Sequence, residues 1–157
     1  MELASGSVYK AFKDKRTIFT AAFDREGAVR GEKLRRILNG AKTGRDRIRE
    51  AIIFYAESSS GVEGKLGCLV VGSTAELSTF DTEVAQRVTA ALDECETLMV
   101  DLIRQGKADG SIPATLDSET TGRLLLCLLQ GMRVVGKTGR SRREMTAVAD
   151  TAMKLVD

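Results

Sequence analysis

Apolar positions recur along most of the chain at spacings of three and four, the period of an amphipathic helix, with polar residues between them. Near the start, Leu3, Val8 and Phe12 share one side of a short segment. Behind it Ile18, Phe19, Ala22 and Phe23 form a second stripe, with Asp14 as a natural N-cap. Residues 27–44 continue as helix on the apolar face Leu34, Ile37 and Leu38, with an interruption expected near Gly31. Thr43 with Asp46 reads as a capping-box variant opening a helix through Ile48, Ile52, Ile53 and Tyr55, which the Ser-Ser-Ser-Gly run at 58–61 ends. The next helix is expected from near Leu66. The stretch 66–77, charged only at Glu76, has the composition of a buried helix or a strand; Gly67, Gly72, Ser73 and Ala75 favour a closely packed helix.

Asp81 caps the longest predicted helix. Its stripe of Val84, Val88, Ala91 or Leu92, Cys95, Leu98 or Met99, and Leu102 keeps helical period until Asp109-Gly110 stops it. Pro113 marks the following loop. Asp117 opens a helix in which Leu124, Leu125, Leu126, Leu128 and Leu129 are apolar on more than one face, so this helix needs two neighbours. Ser141 and Glu144 form a capping box for the last helix, with Met145, Val148, Ala149, Ala152 and Leu155 or Val156 as its stripe. These last two helices read as half of a four-helix bundle. A symmetric partner chain is expected on Leu124, Leu128, Val135, Met145, Val148 and Ala152, making a homodimer.

Composition sharpens this into an all-α expectation. The 157 residues are 43% hydrophobic but only 4% aromatic, with one proline, which suits aliphatic helices better than sheet. The net charge of +2 hides an asymmetry: residues 1–50 hold 13 Lys and Arg against 7 Asp and Glu, whereas residues 51–157 hold 11 against 15. A basic head on an acidic body fits an end that meets a polyanion, or a merely solvated basic face. There is no histidine, and the three cysteines lack metal-ligand spacing, so no metal, no cofactor and no His-based catalysis is expected. Gly131 and Gly136-Lys137-Thr138 stand at the spacing of a phosphate-binding loop, but within an apolar helical pattern and not after a predicted strand, and an enzyme is not the expected class. The longest unbroken apolar run, Leu124 to Leu129, is too short to span a bilayer, which points to a cytoplasmic, reduced protein without a membrane partner.

The run from Ser5 through Gly6-Ser7-Val8-Tyr9-Lys10-Ala11-Phe12 to Asp14-Lys15 and Ile18-Phe19 resembles the recognition-helix signature of the TetR family of bacterial regulators. Gly67-Cys68-Leu69-Val70-Val71, Ala75-Glu76-Leu77, Asp81 with Glu83-Val84, and Leu128 to Val134 are similar to the regulatory body of its AcrR-like branch. The resemblance implies a TetR-type fold: residues 1–27 as a partial helix-turn-helix head, residues 28–157 as the ligand-binding and dimerisation body. Family members carry two further helices ahead of the recognition helix, so the chain reads as N-terminally truncated. A late start codon, a cut and a true short form all fit that.

By resemblance, Ser5, Ser7, Tyr9, Lys10 and Lys15 are the expected contacts to a double-stranded DNA operator, since hydroxyls and lysines donate to phosphate oxygens and base edges. A pocket for a small-molecule effector is expected among Phe54, Leu69, Leu98, Leu102 and Leu126, with Gln130 and Glu76 as polar contacts; plain core is the competing reading of the apolar residues. Cys68 is a candidate reactive thiol, because a cysteine at the head of a helix meets the positive end of its dipole; a small buried hydrophobe is the alternative. Cys95 and Cys127 fit the latter description. The implied function is a ligand-responsive repressor that binds a palindromic operator as a homodimer. The alternative is a dimerisation and ligand-binding module without competent DNA binding.

Overall fold

The computed structural model describes residues 15–76 and 82–157. Among these the chain is helical without strands: α1 (Lys15–Gly40), α2 (Gly44–Ser58), α3 (Gly61–Leu66), α4 (Leu69–Glu76), α5 (Thr82–Asp109), α6 (Ser118–Gly136) and α7 (Arg142–Ala152), closed by a 3-10 turn over Met153–Val156. The segment of Leu3, Val8 and Phe12 and the expected caps Asp14 and Asp81 lie outside the described residues. No helix among the described residues is long and apolar enough to cross a membrane.

Local chemistry sets most boundaries. The Thr43 hydroxyl accepts from the Asp46 N–H at 3.1 Å, and the Asp117 carboxylate accepts from Thr120 N–H at 2.6 Å. Ser141 and Glu144 complete a reciprocal capping box at the head of α7. These bonds satisfy first-turn donors that have no partner within the helix. Gly110, at φ +79°, ends α5 in the left-handed region where a side chain would be strained.

Two expectations need correction. The break near Gly31 is absent, and α1 runs unbroken for 26 residues. Each interior glycine costs a helix about 1 kcal/mol, which the helix-forming neighbours and the anchors Phe23, Leu34 and Leu38 on either side offset. The Ser-Ser-Ser-Gly run is no simple loop either, since a six-residue helix starts at Gly61 and ends at Leu66, where the next helix was expected to begin.

The core has two parts. The larger joins Leu34 and Leu38 of α1 to Ile48 and Ile52 of α2, Met99 and Ile103 of α5, Leu125 and Leu129 of α6, and Met145 and Ala149 of α7. The smaller packs Phe23 of α1 on Val84 and Val88 of α5, with Leu69 and Val70 of α4 against them. Helices α1 and α5 run through both. Close packing in the larger part uses glycine: a methyl on Gly44 would overlap the Gly106 backbone, and one on Gly136 the Ser59 carbonyl.

Candidate functional site

Between the two cores, α1 and α5 present small or polar residues where they face each other. Along α1 the anchors Phe23 and Leu34 are separated by Gly27, Arg30 and Gly31; along α5, Val88 and Met99 are separated by Ala91, Glu94, Cys95 and Leu98. A cavity of about 390 Å³ opens there, within the range that holds a small molecule. Nothing lies within 4 Å of a methyl built on Gly27, and Gly31 would meet only the end of the Arg35 side chain at 3.8 Å. The cavity owes its volume to missing side chains on one face of α1.

Its walls are apolar, with Leu34 and Leu38 of α1, Phe54 of α2, Leu69 and Val70 of α4 and Leu98 of α5. Polar residues line it too, with Glu26, Arg30 and Arg35 of α1, Glu94 of α5 and Gln130 of α6. The Tyr55 hydroxyl stands 3.6 Å from the Cys95 sulfur, and Cys68 lines the same space. Burial, with Cys95 next to it, pushes the Tyr55 phenol well up, so it stays protonated at any physiological pH. Burial raises the Cys95 thiol too, against a lowering by its hydrogen bond with Tyr55. The Arg30 guanidinium lies over the rings of Phe54 and Tyr55, 5.2 and 5.7 Å from their centroids, a cation–π arrangement. Arg30 also donates to Ser58 Oγ at 3.3 Å and pairs with Glu63 at 3.4 Å.

The expected site residues divide clearly. Phe54, Leu69, Leu98, Gln130 and Cys68 line the cavity together. Leu102 and Leu126 do not: each lies one helical turn beyond a lining residue, Leu98 and Gln130 respectively, and Leu102 is buried core. Glu76 is the last residue of α4, and its side chain is outside what is described. Ser5, Ser7, Tyr9 and Lys10 are likewise outside the described residues; Lys15 is exposed at the first turn of α1. Sequence reasoning missed Tyr55, Cys95 and Arg30 as cavity residues. Gly27 and Gly31, four apart on a face that otherwise carries Phe23 and Leu34, were the readable signal.

The residues expected to meet a second chain also separate. Leu124, Val135 and Val148 are 48%, 44% and 39% exposed, and Leu128 is half-buried against the core. Met145 and Ala152 are corrected: both are buried in the protomer's own core, because the apolar stripe of α7 packs on α2. Cys127 is exposed rather than buried. With Leu124, Val134 and Val135 it forms an uncovered apolar stripe along α6, at spacings that keep one helix face.

Residues 44–152 match the tetracyclin repressor-like, C-terminal domain. The HTH-type transcriptional repressor ComR of Escherichia coli (strain K12) is 22% identical over 152 residues, spanning 95% of this chain and 71% of that protein. The TetR family transcriptional regulator CifR, solved as a cysteine mutant complexed with 26-base-pair double-strand operator DNA, aligns with a TM-score of 0.85 at 25% identity, covering 99% of this chain and 81% of its own. A TetR transcriptional regulator from Chloroflexus aurantiacus J-10-FL shares the fold, with a TM-score of 0.81 at 20% identity over 94% of this chain and 74% of that one.

Proposed function

This chain belongs to the TetR family of transcriptional regulators, and from that premise we propose that it is a ligand-responsive repressor that binds a palindromic operator as a homodimer and is released by a small-molecule effector. The observation that carries this reading is the cavity itself. One of its walls is α1, the helix that begins at Lys15, itself one of the expected DNA contacts. Residues 1–27 then act as the head and residues 28–157 as the body. The division falls inside one continuous helix, so the body can move the head without a flexible joint. Lys15 lies about 18 Å along α1 from Gly27 at 1.5 Å per residue, so a tilt of about 6° at the cavity displaces it by about 2 Å. A ligand that binds the tilted state more tightly shifts the dimer away from the spacing that two successive major grooves require.

In this reading Ser5, Ser7, Tyr9, Lys10 and Lys15 contact the operator, and Phe54, Leu69, Leu98 and Gln130 contact the effector. The uncovered stripe of α6, with Val148 of α7, meets its symmetric copy. The protein works in the cytoplasm and performs no catalytic turnover. Selection from a randomised duplex pool tests the operator claim. An enriched inverted repeat, whose affinity falls steeply with salt, supports it. Recovery of no preferred sequence under any salt or ligand condition defeats it.

A second reading rests on a specific observation, that the matched family is the C-terminal domain alone, over residues 44–152. There the chain is a dimerisation and ligand-binding module without competent DNA binding. The same selection distinguishes the two, because a module yields no enriched duplex while still forming a dimer.

A further inference from the structure

Two of the three cysteines converge on the cavity, although they stand 27 positions apart with the whole of α4 between them. Cys95 approaches from α5 and Cys68 from the residue before α4, where its carbonyl accepts the Gly72 N–H at 2.9 Å and so begins the helix. Tyr55, from α2, brings a phenol to the same space. Beside the apolar walls and the polar Glu26, Arg30, Arg35, Glu94 and Gln130, the cavity thus holds two thiols and a phenol, an arrangement that a purely hydrophobic pocket does not need. The two thiols differ in access. Cys95 is engaged with the Tyr55 hydroxyl at 3.6 Å. Cys68 has no such partner among the described residues, is half-buried, and borders both the cavity and an adjoining groove shared with Phe19 and Lys137.

We propose that the effector of this protein is a small apolar electrophile of the α,β-unsaturated carbonyl class, that it enters the cavity, and that it is captured covalently by Cys68 with Tyr55 as proton donor. This deepens the ligand-responsive reading above and rests on it. The step balances without an oxidant or a leaving group. Cys68 gives up its proton and its sulfur lone pair forms a bond to the β-carbon. The carbon–carbon π pair moves toward the carbonyl as an enolate, and the Tyr55 hydroxyl protonates it. The phenol regains the proton that Cys68 released, through solvent at the groove. The net change is addition of S–H across one double bond. The apolar walls of Leu34, Leu38, Phe54 and Leu98 select the body of the molecule, and the volume of about 390 Å³ limits its size.

The test uses the full chain with Cys127→Ser, which removes the exposed surface thiol outside the cavity. But-3-en-2-one is added at neutral pH, and adducts are followed by intact mass and peptide mapping. The expected result is one adduct per chain, on Cys68, forming at least tenfold faster than with glutathione. Cys68→Ser on that background slows adduct formation at least tenfold, and Cys68→Ala does the same if serine perturbs the fold. Tyr55→Phe slows addition of but-3-en-2-one severalfold but leaves alkylation by iodoacetamide, which needs no proton donor, unchanged. A Cys68 no faster than glutathione, or modification mainly at Cys95, overturns the proposal. Equal slowing of both reagents in Tyr55→Phe removes the tyrosine from it. Mass is read without DNA, so failure here is separable from failure of operator selection.

Discussion

Arg133 carries a guanidinium into the interior at 2% exposure, and none of its bonds among the described residues is to a carboxylate. Nη1 donates to the Ser58 carbonyl and Nη2 to the Gly67 carbonyl, the latter at 2.8 Å, while Nε has no partner among the described residues. Those carbonyls lie at the C-terminal ends of α2 and α3, where the helix dipoles are negative and help to compensate the charge. Arg133→Leu strips both acceptors of their donor and should destabilise the protein by about 3 kcal/mol, given about 1–3 for each buried group left unpaired. Arg133→Lys should recover only part, since one ammonium does not span two acceptors as a planar fork does. Urea unfolding of the two variants checks the order. Gly31 makes a contrasting case. Alanine there meets only a flexible side-chain tip, so Gly31→Ala should stabilise α1 by up to about 1 kcal/mol, whereas Gly31→Phe should fill the cavity and slow but-3-en-2-one addition to Cys68.

At the scale of elements, packing depends on how closely the helix axes approach. Gly44, at the head of α2, touches the backbone of Gly106 in α5, and no side chain there is free to move aside. Gly44→Ala should therefore cost about 2 kcal/mol through displaced helices, visible as a lower midpoint in thermal unfolding. Helix caps set the acid response. Hydrogen bonding from Thr120 holds the Asp117 carboxyl below its usual 3.8, and the Ser141 hydroxyl holds Glu144 below its usual 4.5. As pH falls, the unfolded chain takes up these protons first and the folded chain later, so acid favours unfolding. The contribution is complete above the usual carboxylate range and is lost as pH falls through it toward the lowered values. Urea midpoints should stay flat from neutral pH down to about 5 and decline below about 4. Thr43→Ala, which removes a neutral cap, should lower stability by about 1 kcal/mol at every pH.

For the whole molecule, the question is which apolar surface belongs to the protomer and which to its copy. Leu124 and Val135 are exposed on α6, whereas Met145 of α7 is buried against the protomer's own core. A Leu124→Glu, Val135→Glu double variant should therefore be a folded monomer by light scattering, with its helix content unchanged. Met145→Ala should remain dimeric and lose about 3 kcal/mol of protomer stability through the void it leaves. If the double variant stays dimeric, the partner contact lies on another face. The cavity and the α6 stripe are served by one helix, with Gln130 lining the cavity and Leu124, Cys127, Val134 and Val135 exposed. In the proposed reading, ligand occupancy and subunit contact therefore act on the same helix.

Helix type, order and most boundaries were legible in the sequence because they depend on near neighbours: a stripe of period 3.6, a Ser141–Glu144 pair, a Gly110 with positive φ. Family resemblance was legible for the same reason, since it resides in contiguous strings such as Gly67 to Val71. The cavity was only half legible. The sequence points to Phe54, Leu69, Leu98, Gln130 and Cys68 as its wall, but Tyr55, Cys95 and Arg30 join them only when five separate helices are docked. Leu102 was excluded for the converse reason, because one turn along α5 separates wall from core and periodicity assigns both to one face. The stripe of α7 shows the limit most plainly. Met145 and Val148 are both apolar and three residues apart, yet one is buried within the protomer and the other is exposed. An amphipathic pattern records that a face is to be buried; only the tertiary structure decides against what, because burial is a property of the neighbour as much as of the residue.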